Sequence, residues 1–210
     1  RNLTNPNPYT WSMRALLVAM QNWVKDGQEP PPSQYPMLAE GKLVAVSALH
    51  FPKIPGITVP RRLQKGYRAD YGPEFRTRGI AAIEPPKIGK AFPALVPQVD
   101  ADGTDTAGIR MPDIQAPLAT FTGWNLRAPE LGAPDELVSG QGSYIPFART
   151  RAERAKNKDP RLSVEERYKD REDYLAKVEA AARSLAAGGY LLEQDIPKLI
   201  ERGSAEWDLH

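Results

Sequence analysis

The sequence lacks cysteine altogether and holds only two histidines, His50 and His210. Without cysteine there can be no disulfide framework, no thiolate zinc site and no cysteine nucleophile. Neither histidine has other metal-ligating residues at a characteristic spacing around it, and His50 lies in an apolar, strand-like run. We therefore predict that the chain binds no metal or cofactor, and that neither histidine is catalytic.

Long hydrophobic runs and an excess of one charge are also missing. No apolar stretch reaches the roughly 18 residues that a membrane helix needs, so we expect no membrane span. The 28 basic and 26 acidic residues give a formal net charge of +2. This balance is unlike that of a typical nucleic-acid binder, and no nucleic acid is expected as a partner. With 41% hydrophobic residues, the composition is that of a soluble globular protein.

Proline and glycine are plentiful, at 21 and 16 residues, which excludes a bundle of long helices. The clearest element is a helix from Thr10 to Asp26, which begins after turn-forming residues and ends at Gly27. Its apolar stripe consists of Met13, Leu16, Leu17, Met20, Trp23 and Val24. A helix with such a stripe needs a partner to cover it, so we predict a principal packing element.

The rest of the chain divides into a proline-rich middle and a last third that is rich in Ala, Glu, Arg and Lys. From Lys42 to Pro97 we predict short strands and ordered loops, with one strand at Leu43–Leu49. In the last third we predict a helix from Pro146 to Lys156, a helix that begins at the capping box Ser163–Glu166, and a final helix from Glu193 to Arg202. Between the last two, an apolar stripe at helical spacing consists of Tyr174, Val178, Ala181, Ala182 and Leu185.

The motif of an α/β-type serine hydrolase is absent. Such an enzyme carries its nucleophile in Gly-x-Ser-x-Gly, where small neighbours allow a strained turn. No serine of the chain has that setting. Ser143 comes closest because glycine precedes it, but Tyr144 and Ile145 follow it, so a turn is favoured over a nucleophile.

Two charged clusters could bind ligands. Three aspartates, Asp100, Asp102 and Asp105, resemble part of a calcium loop, but the later bidentate glutamate is lacking and an Asp-Gly turn is favoured. A basic run comprises Arg149, Arg151, Arg154, Lys156, Lys158 and Arg161. It could attract phosphate or an acidic partner, yet it has no interleaved aromatic residues, so a solvated helix face is favoured.

Three blocks of sequence carry a family resemblance through their order. They are Asn5-Pro6-Asn7-Pro8 with Met13–Met20 and Trp23–Gly27, then Asp100–Gly103 with Ala107–Pro112 and Pro117–Asn125, and finally Gly142–Thr150 with Glu165–Tyr168. Together they resemble the C-terminal part of the "alpha/beta hydrolase domain" family of large serine-hydrolase-like proteins. The resemblance spans most of the chain and is weakest between Val46 and Val96.

The resemblance implies an α/β parent of the α/β-hydrolase type, of which this chain is a mixed α and β portion with a loop-rich middle and a helical C-terminal third. Residues 1–130 would be the C-terminal part of the hydrolase-like domain, and residues 131–210 a helical tail packed on it. The nucleophile, acid and histidine would precede Asn5, so no catalytic residue is assigned here.

The function implied is that of the C-terminal portion of an esterase-like hydrolase, which contributes packing and pocket walls. Its partner would be the missing N-terminal part of its own parent chain, and the parent's substrate a small-molecule ester. The alternative is a non-catalytic binding or structural module that uses the basic helical tail.

Trp124 and Asn125 are the residues that we expect closest to a substrate. Prolines at 112 and 117 predict short extended pieces before a sharp turn at Gly123. Trp124 then offers a large apolar ring, and Asn125 an amide that can both donate and accept hydrogen bonds. The alternative is that Trp124 plugs the join between the hydrolase core and the helical tail, since aromatic residues commonly serve packing.

Overall fold

A computed structural model describes residues 1–63 and 65–210. In chain order the elements are β1 (Leu3–Thr4), α1 (Thr10–Asp26), β2 (Leu43–Ala45), β3 (Tyr67–Asp70), α2 (Phe75–Arg78), β4 (Lys87–Ala91), β5 (Leu95–Pro97), α3 (Pro112–Gln115), β6 (Ala119–Thr122), β7 (Ser143–Pro146), α4 (Arg151–Asn157), α5 (Val164–Arg167), α6 (Arg171–Ala187) and α7 (Ile196–Leu209). Short 3-10 turns lie at Val46–Ala48, Pro129–Leu131 and Glu193–Asp195. Within these described ranges, every helix is too short or too polar to cross a membrane.

The strands form three small sheets. β7 lies between β1 and β6, while β2 pairs with β5 and β3 pairs with β4. All these pairings between described strands are antiparallel. The fold is thus mixed helix and strand, as predicted. β7 belongs to the predicted part 131–210 but pairs with strands of 1–130, so the two parts share a sheet, and the division between them stays a prediction.

The main core lies between the segment from Met111 to Leu118 and the helices of the last third. The predicted stripe of α6 is confirmed, since all five of its residues are buried. α7 packs against α6 at Gly203, where an added Cβ would lie 3.3 Å from Val178 Cγ1. Glycine therefore lets the two helices approach closely. The final helix was predicted to end at Arg202, but it continues through this contact to Leu209.

The predicted helix start at Pro146 is wrong. Pro146 is the last residue of β7, all four residues of which pair with β6, and α4 begins only at Arg151. Thr150 Oγ1 accepts a hydrogen bond of 3.1 Å from the main-chain nitrogen of Glu153, which satisfies a free amide of the first turn. The helix predicted from the composition of this segment therefore forms only after strand β7 has ended.

Three other predictions about local structure are confirmed only in part. The strand predicted at Leu43–Leu49 ends at Ala45 and continues as a 3-10 turn. Pro112 begins the one-turn helix α3 instead of an extended piece, since proline fits a first helical position. The capping box of Ser163 and Glu166 is present, but the helix that it starts spans a single turn before α6 begins.

Helix α1 has the predicted bounds, but most of its apolar stripe faces outward. Trp11 packs against a buried cluster that includes Met111, and Ser12 Oγ donates a hydrogen bond to the sulfur of Met111 at 3.1 Å. An ion pair of 3.1 Å between Arg14 and Asp195 fixes the same side of the helix to the start of α7. The exposed stripe consists of Met13, Leu17, Met20, Trp23 and Val24. Within the described chain this face is uncovered.

Candidate functional site

A cavity of about 270 Å³ lies beside Trp124. The segment after β2, strand β5 and the loop that precedes β6 supply most of its walls. Six of its apolar lining residues are Leu49, Phe51, Val59, Val96, Val99 and Trp124. An apolar concavity of this kind suits the hydrocarbon part of a small ligand.

The position of Trp124 is fixed through both its ring and its main chain. Its ring centroid lies 5.7 Å from that of Phe51, at an interplanar angle of 56°. Its carbonyl oxygen accepts hydrogen bonds from Thr122 Oγ1 at 2.6 Å and from Ser143 Oγ at 2.7 Å. Gly103, with a φ of +82°, faces the same aromatic pair, and a Cβ there would lie 3.0 Å from the ring of Phe51. The turn therefore requires glycine both for its backbone and for this close approach.

One carboxyl group lines the otherwise apolar cavity. It belongs to Asp105, an exposed residue whose carboxyl group is nevertheless partly removed from water. This desolvation, together with the negative charge of Asp100, raises the pKa of Asp105, while Arg110 acts in the opposite direction. Asp105 could accept a hydrogen bond from a bound molecule, and donate one when it is protonated.

The structure separates the two residues that the sequence placed nearest to a substrate. Trp124 lines the cavity, whereas Asn125 lies outside its lining and is 2% exposed. Asn125 Oδ1 accepts hydrogen bonds from the main-chain nitrogens of Asn2 and Arg1 at 3.1 and 3.3 Å. Its amide nitrogen donates to the carbonyl of Asn2 at 2.9 Å. Asn125 thus anchors the residues before β1, and a role in substrate contact stays a prediction for both residues.

Ser143 is built into the sheet. It starts β7, has no exposed surface, donates a hydrogen bond to the carbonyl of Trp124 and accepts one from the side chain of Asn2 at 3.2 Å. His50 is exposed, and the ring of His210 contacts the carbonyl of Leu118 at 2.9 Å. Among the contacts of the described residues, no histidine ring bonds a serine hydroxyl, so this part of the chain holds no assembled serine–histidine pair.

The aspartates around Gly103 are engaged within the protein. Asp100 Oδ1 accepts hydrogen bonds from the main-chain nitrogens of Asp102 and Thr104, both at 3.0 Å. The carboxylate of Asp102 forms a bidentate ion pair with the guanidinium of Arg167. Across residues 1–63 and 65–210, no three side chains of the metal-ligating types cluster as a metal site. The arrangement is that of an Asp-Gly turn tied to α5.

Two arginines of the basic run are used internally. The Arg161 side chain is 2% exposed and donates to Thr120 Oγ1 at 2.8 Å, to the carbonyl of Ile145 at 2.9 Å and to the carboxylate of Asp159. Arg154 binds the carboxylate of Glu166 at 2.9 Å. These residues join β6, β7 and α5, so they add nothing to an outward-facing basic surface.

Sequence reasoning missed a second polar cluster, between α7 and the central sheet. Arg202, Glu206 and His210 follow one another at four-residue spacing along α7, and they line a cavity together with Tyr144 of β7. Burial of Glu206, with the nearby charge of Asp113, raises the pKa of Glu206 to about 7. The helical spacing was a signal in the sequence, but only the fold shows that it faces Tyr144 and Asp113.

Comparison with known proteins gives one match. A family model described as "alpha/beta hydrolase domain" covers residues 1–201 of the chain. The chain belongs to this family. The resemblance carried by the three sequence blocks is thereby confirmed. No curated protein and no solved structure matched the chain.

Proposed function

We propose that the chain is the C-terminal portion of an esterase-like α/β-hydrolase whose serine, acid and histidine lie upstream of Asn5. In this proposal it contributes a packing surface and an apolar pocket wall, its partner is the N-terminal part of its own parent chain, and the parent's substrate is a small-molecule ester. The uncovered face of α1 is the observation that carries the proposal.

The two sides of α1 differ sharply. The inner side is occupied by the contacts of Trp11, Ser12 and Arg14, whereas Leu17 on the outer side is 61% exposed. Large apolar residues clustered on one exposed face indicate an interaction surface. In an α/β fold, helices bury such a face against a mostly parallel sheet. The parent's sheet would therefore cover α1.

The cavity at Trp124 supplies the second support. In ester hydrolysis by a serine triad, the serine attacks the acyl carbon, the histidine accepts the serine proton, and the acid orients the histidine. None of these steps needs a residue of the present chain. An apolar wall formed by Trp124 and Phe51 would instead hold the hydrocarbon part of the ester beside the upstream serine.

The alternative, a non-catalytic module that uses the basic helical tail, has less support. Arg154 and Arg161 are engaged in internal ion pairs, so the outward basic surface is smaller than the sequence suggested. The family match also favours the hydrolase proposal.

A fluorophosphonate probe, which labels activated serines, tests the proposal. The 210-residue chain and the product of its complete reading frame should be treated in parallel. We expect no labelling of the short chain, because Ser143 is buried and bonded, and stoichiometric labelling of the long product within a Gly-x-Ser-x-Gly. Labelling of Ser143, or a complete reading frame that lacks the motif, would contradict the proposal.

A further inference from the structure

A second cavity, with a volume of about 470 Å³, lies between β1, β7 and α7. Apolar side chains form much of its wall, namely Leu3, Pro6, Pro146 and Leu209. Its polar residues are Tyr144, Arg202, Glu206 and His210. It is separate from the cavity at Trp124, and an inference about it does not rest on the proposed hydrolase function.

The positive charge within this cavity is already paired. Arg202 Nε lies 3.3 Å from the buried carboxylate of Asp113, and a terminal nitrogen of Arg202 donates to the carbonyl of Pro6 at 3.0 Å. Tyr144 faces Glu206 and acts to lower the pKa of its carboxyl group. The carboxylate oxygen Oε2 of Glu206 is buried and has no hydrogen-bond partner. Glu206 therefore brings an unsatisfied acceptor to the cavity.

His210 brings a second acceptor. Its Nε2 lies 2.9 Å from the carbonyl oxygen of Leu118, and because a carbonyl only accepts, Nε2 must carry a hydrogen. Burial lowers the pKa of His210, so the ring is neutral near pH 7 and Nδ1 holds a lone pair. Nδ1 is also buried without a partner.

The two acceptors belong together. His210 directly follows the last residue of α7 and is four positions after Glu206, and both side chains line the same cavity. This end of a helix favours positive charge, and buried acceptors without donors are costly. A metal ion would need more oxygen ligands than this pair supplies, whereas an ammonium group brings three donors.

We propose that this cavity binds a small primary ammonium ion that carries a short apolar group. The carboxylate of Glu206 is its counter-ion, Nδ1 of His210 accepts a second hydrogen bond, and the apolar group lies against Leu3, Pro146 and Leu209. Arg202, held by Asp113, stays out of the contact.

Calorimetric titration with n-butylammonium tests the proposal, with n-butanol as the uncharged probe. We expect the 210-residue chain to bind n-butylammonium but not n-butanol at millimolar concentrations. Glu206→Gln keeps the side-chain shape and should weaken binding about tenfold or more, as expected for the loss of a charge-assisted hydrogen bond. Glu201→Gln, at an exposed position of the same helix, is the matched control and should bind as the unmodified chain does.

A second measurement needs no variant. Carbon NMR of the Glu206 carboxyl group should show that its pKa falls when n-butylammonium is added, because a bound cation favours the carboxylate. Absence of binding, equal binding to Glu206→Gln, or binding of n-butanol as strong as that of n-butylammonium would overturn the proposal. Binding without a fall of the Glu206 pKa would overturn the assignment of Glu206 as the counter-ion.

Discussion

Residues 42–97 and residues 104–203 both contain strands, but only the second region builds a core. Every residue of β3 and β4 is exposed, whereas every residue of β6 is buried. Among the described residues from 27 to 102, Ile54 is the only buried one. Two-stranded pairs without cover bury little apolar surface, while β6 packs against Ile114 of α3 and Tyr144 of β7. Stability is therefore expected to reside in the second region.

The largest effect should come from Arg161, which joins β6, β7 and Asp159. Arg161→Met removes one partner of a buried ion pair, so Asp159 Oδ2 and the carbonyls of Ile145 and Pro146 lose their guanidinium donor, and only the main-chain nitrogen of residue 161 still donates to Asp159 Oδ1. We expect a loss of about 3–5 kcal/mol in the free energy of unfolding, measured by urea denaturation. Arg183→Met breaks an exposed pair with Glu179 and should cost only about 0.3–0.5 kcal/mol. Similar losses for the two variants would break the contrast between core and surface.

The next effect compares the two regions directly. Leu199→Ala empties space in the core between α6 and α7, where Leu199 is 1% exposed, and should cost about 2–5 kcal/mol. Ile88→Ala in β4, where the side chain is 63% exposed, should change stability by less than about 0.5 kcal/mol. Urea denaturation of both variants is the measurement. A large loss for Ile88→Ala would mean that residues 42–97 have cover that the structure does not show.

The third prediction concerns Glu206, a destabilising residue within the stable region. Its folded pKa is raised from 4.5 to about 7, so the fold favours the protonated form. The stabilisation that the protonated carboxyl group gives relative to the ionised one is complete below pH 4.5. It falls as the pH rises from 4.5 to 7 and is lost above pH 7. Glu206→Gln stays neutral, so it should match the parent at pH 4 and exceed it by on the order of 2 kcal/mol at pH 8. If Glu206→Gln and the parent were equally stable at pH 4 and also at pH 8, Glu206 would be well solvated in the folded chain.

Sequence patterns predicted the elements that local signals specify. The bounds of α1, the buried stripe of α6 and the capping box at Ser163 each depend on residues within a few positions of one another. β7 could not be predicted in this way, because its strand form depends on pairing with β1 and β6, and Phe121 lies more than twenty residues before its partner Tyr144. Composition alone therefore extended the following helix into the strand.

The candidate sites follow the same rule. Trp124 was singled out from its own chemistry, and the structure places it at a cavity. Asn125 was also predicted to lie near a substrate, but its side chain hydrogen-bonds the main chain of Asn2, near the N-terminus. The cluster around Glu206 joins β7, α3 and α7. A local sequence pattern does not predict contacts between residues so far apart in the chain, since burial and charge environment are properties of the assembled fold.

A moderate effect is expected at Trp124, in the parent enzyme proposed above. If Trp124 forms a pocket wall, Trp124→Ala should lower kcat/KM for a bulky ester about tenfold more than for an acetate ester. As a core plug, it should instead cost about 3–5 kcal/mol of stability and lower both activities equally. Its aromatic neighbour is Phe51 of the proline-rich middle, which favours the first outcome. Melting temperatures and both rates of this one variant distinguish the two roles.

The smallest effect is expected at Leu17, on the uncovered face of α1. In the 210-residue chain, Leu17→Ala removes an exposed side chain and should cost less than about 0.5 kcal/mol. In the product of the complete reading frame, where the proposed sheet covers α1, the same change should cost about 2–5 kcal/mol. Leu131→Ala, at another exposed leucine, controls for the loss of side-chain volume and should be small in both proteins. Urea denaturation of the four variants gives the comparison. A small loss for Leu17→Ala in the long product would show that α1 stays uncovered there, and the proposed packing role of this helix would be wrong.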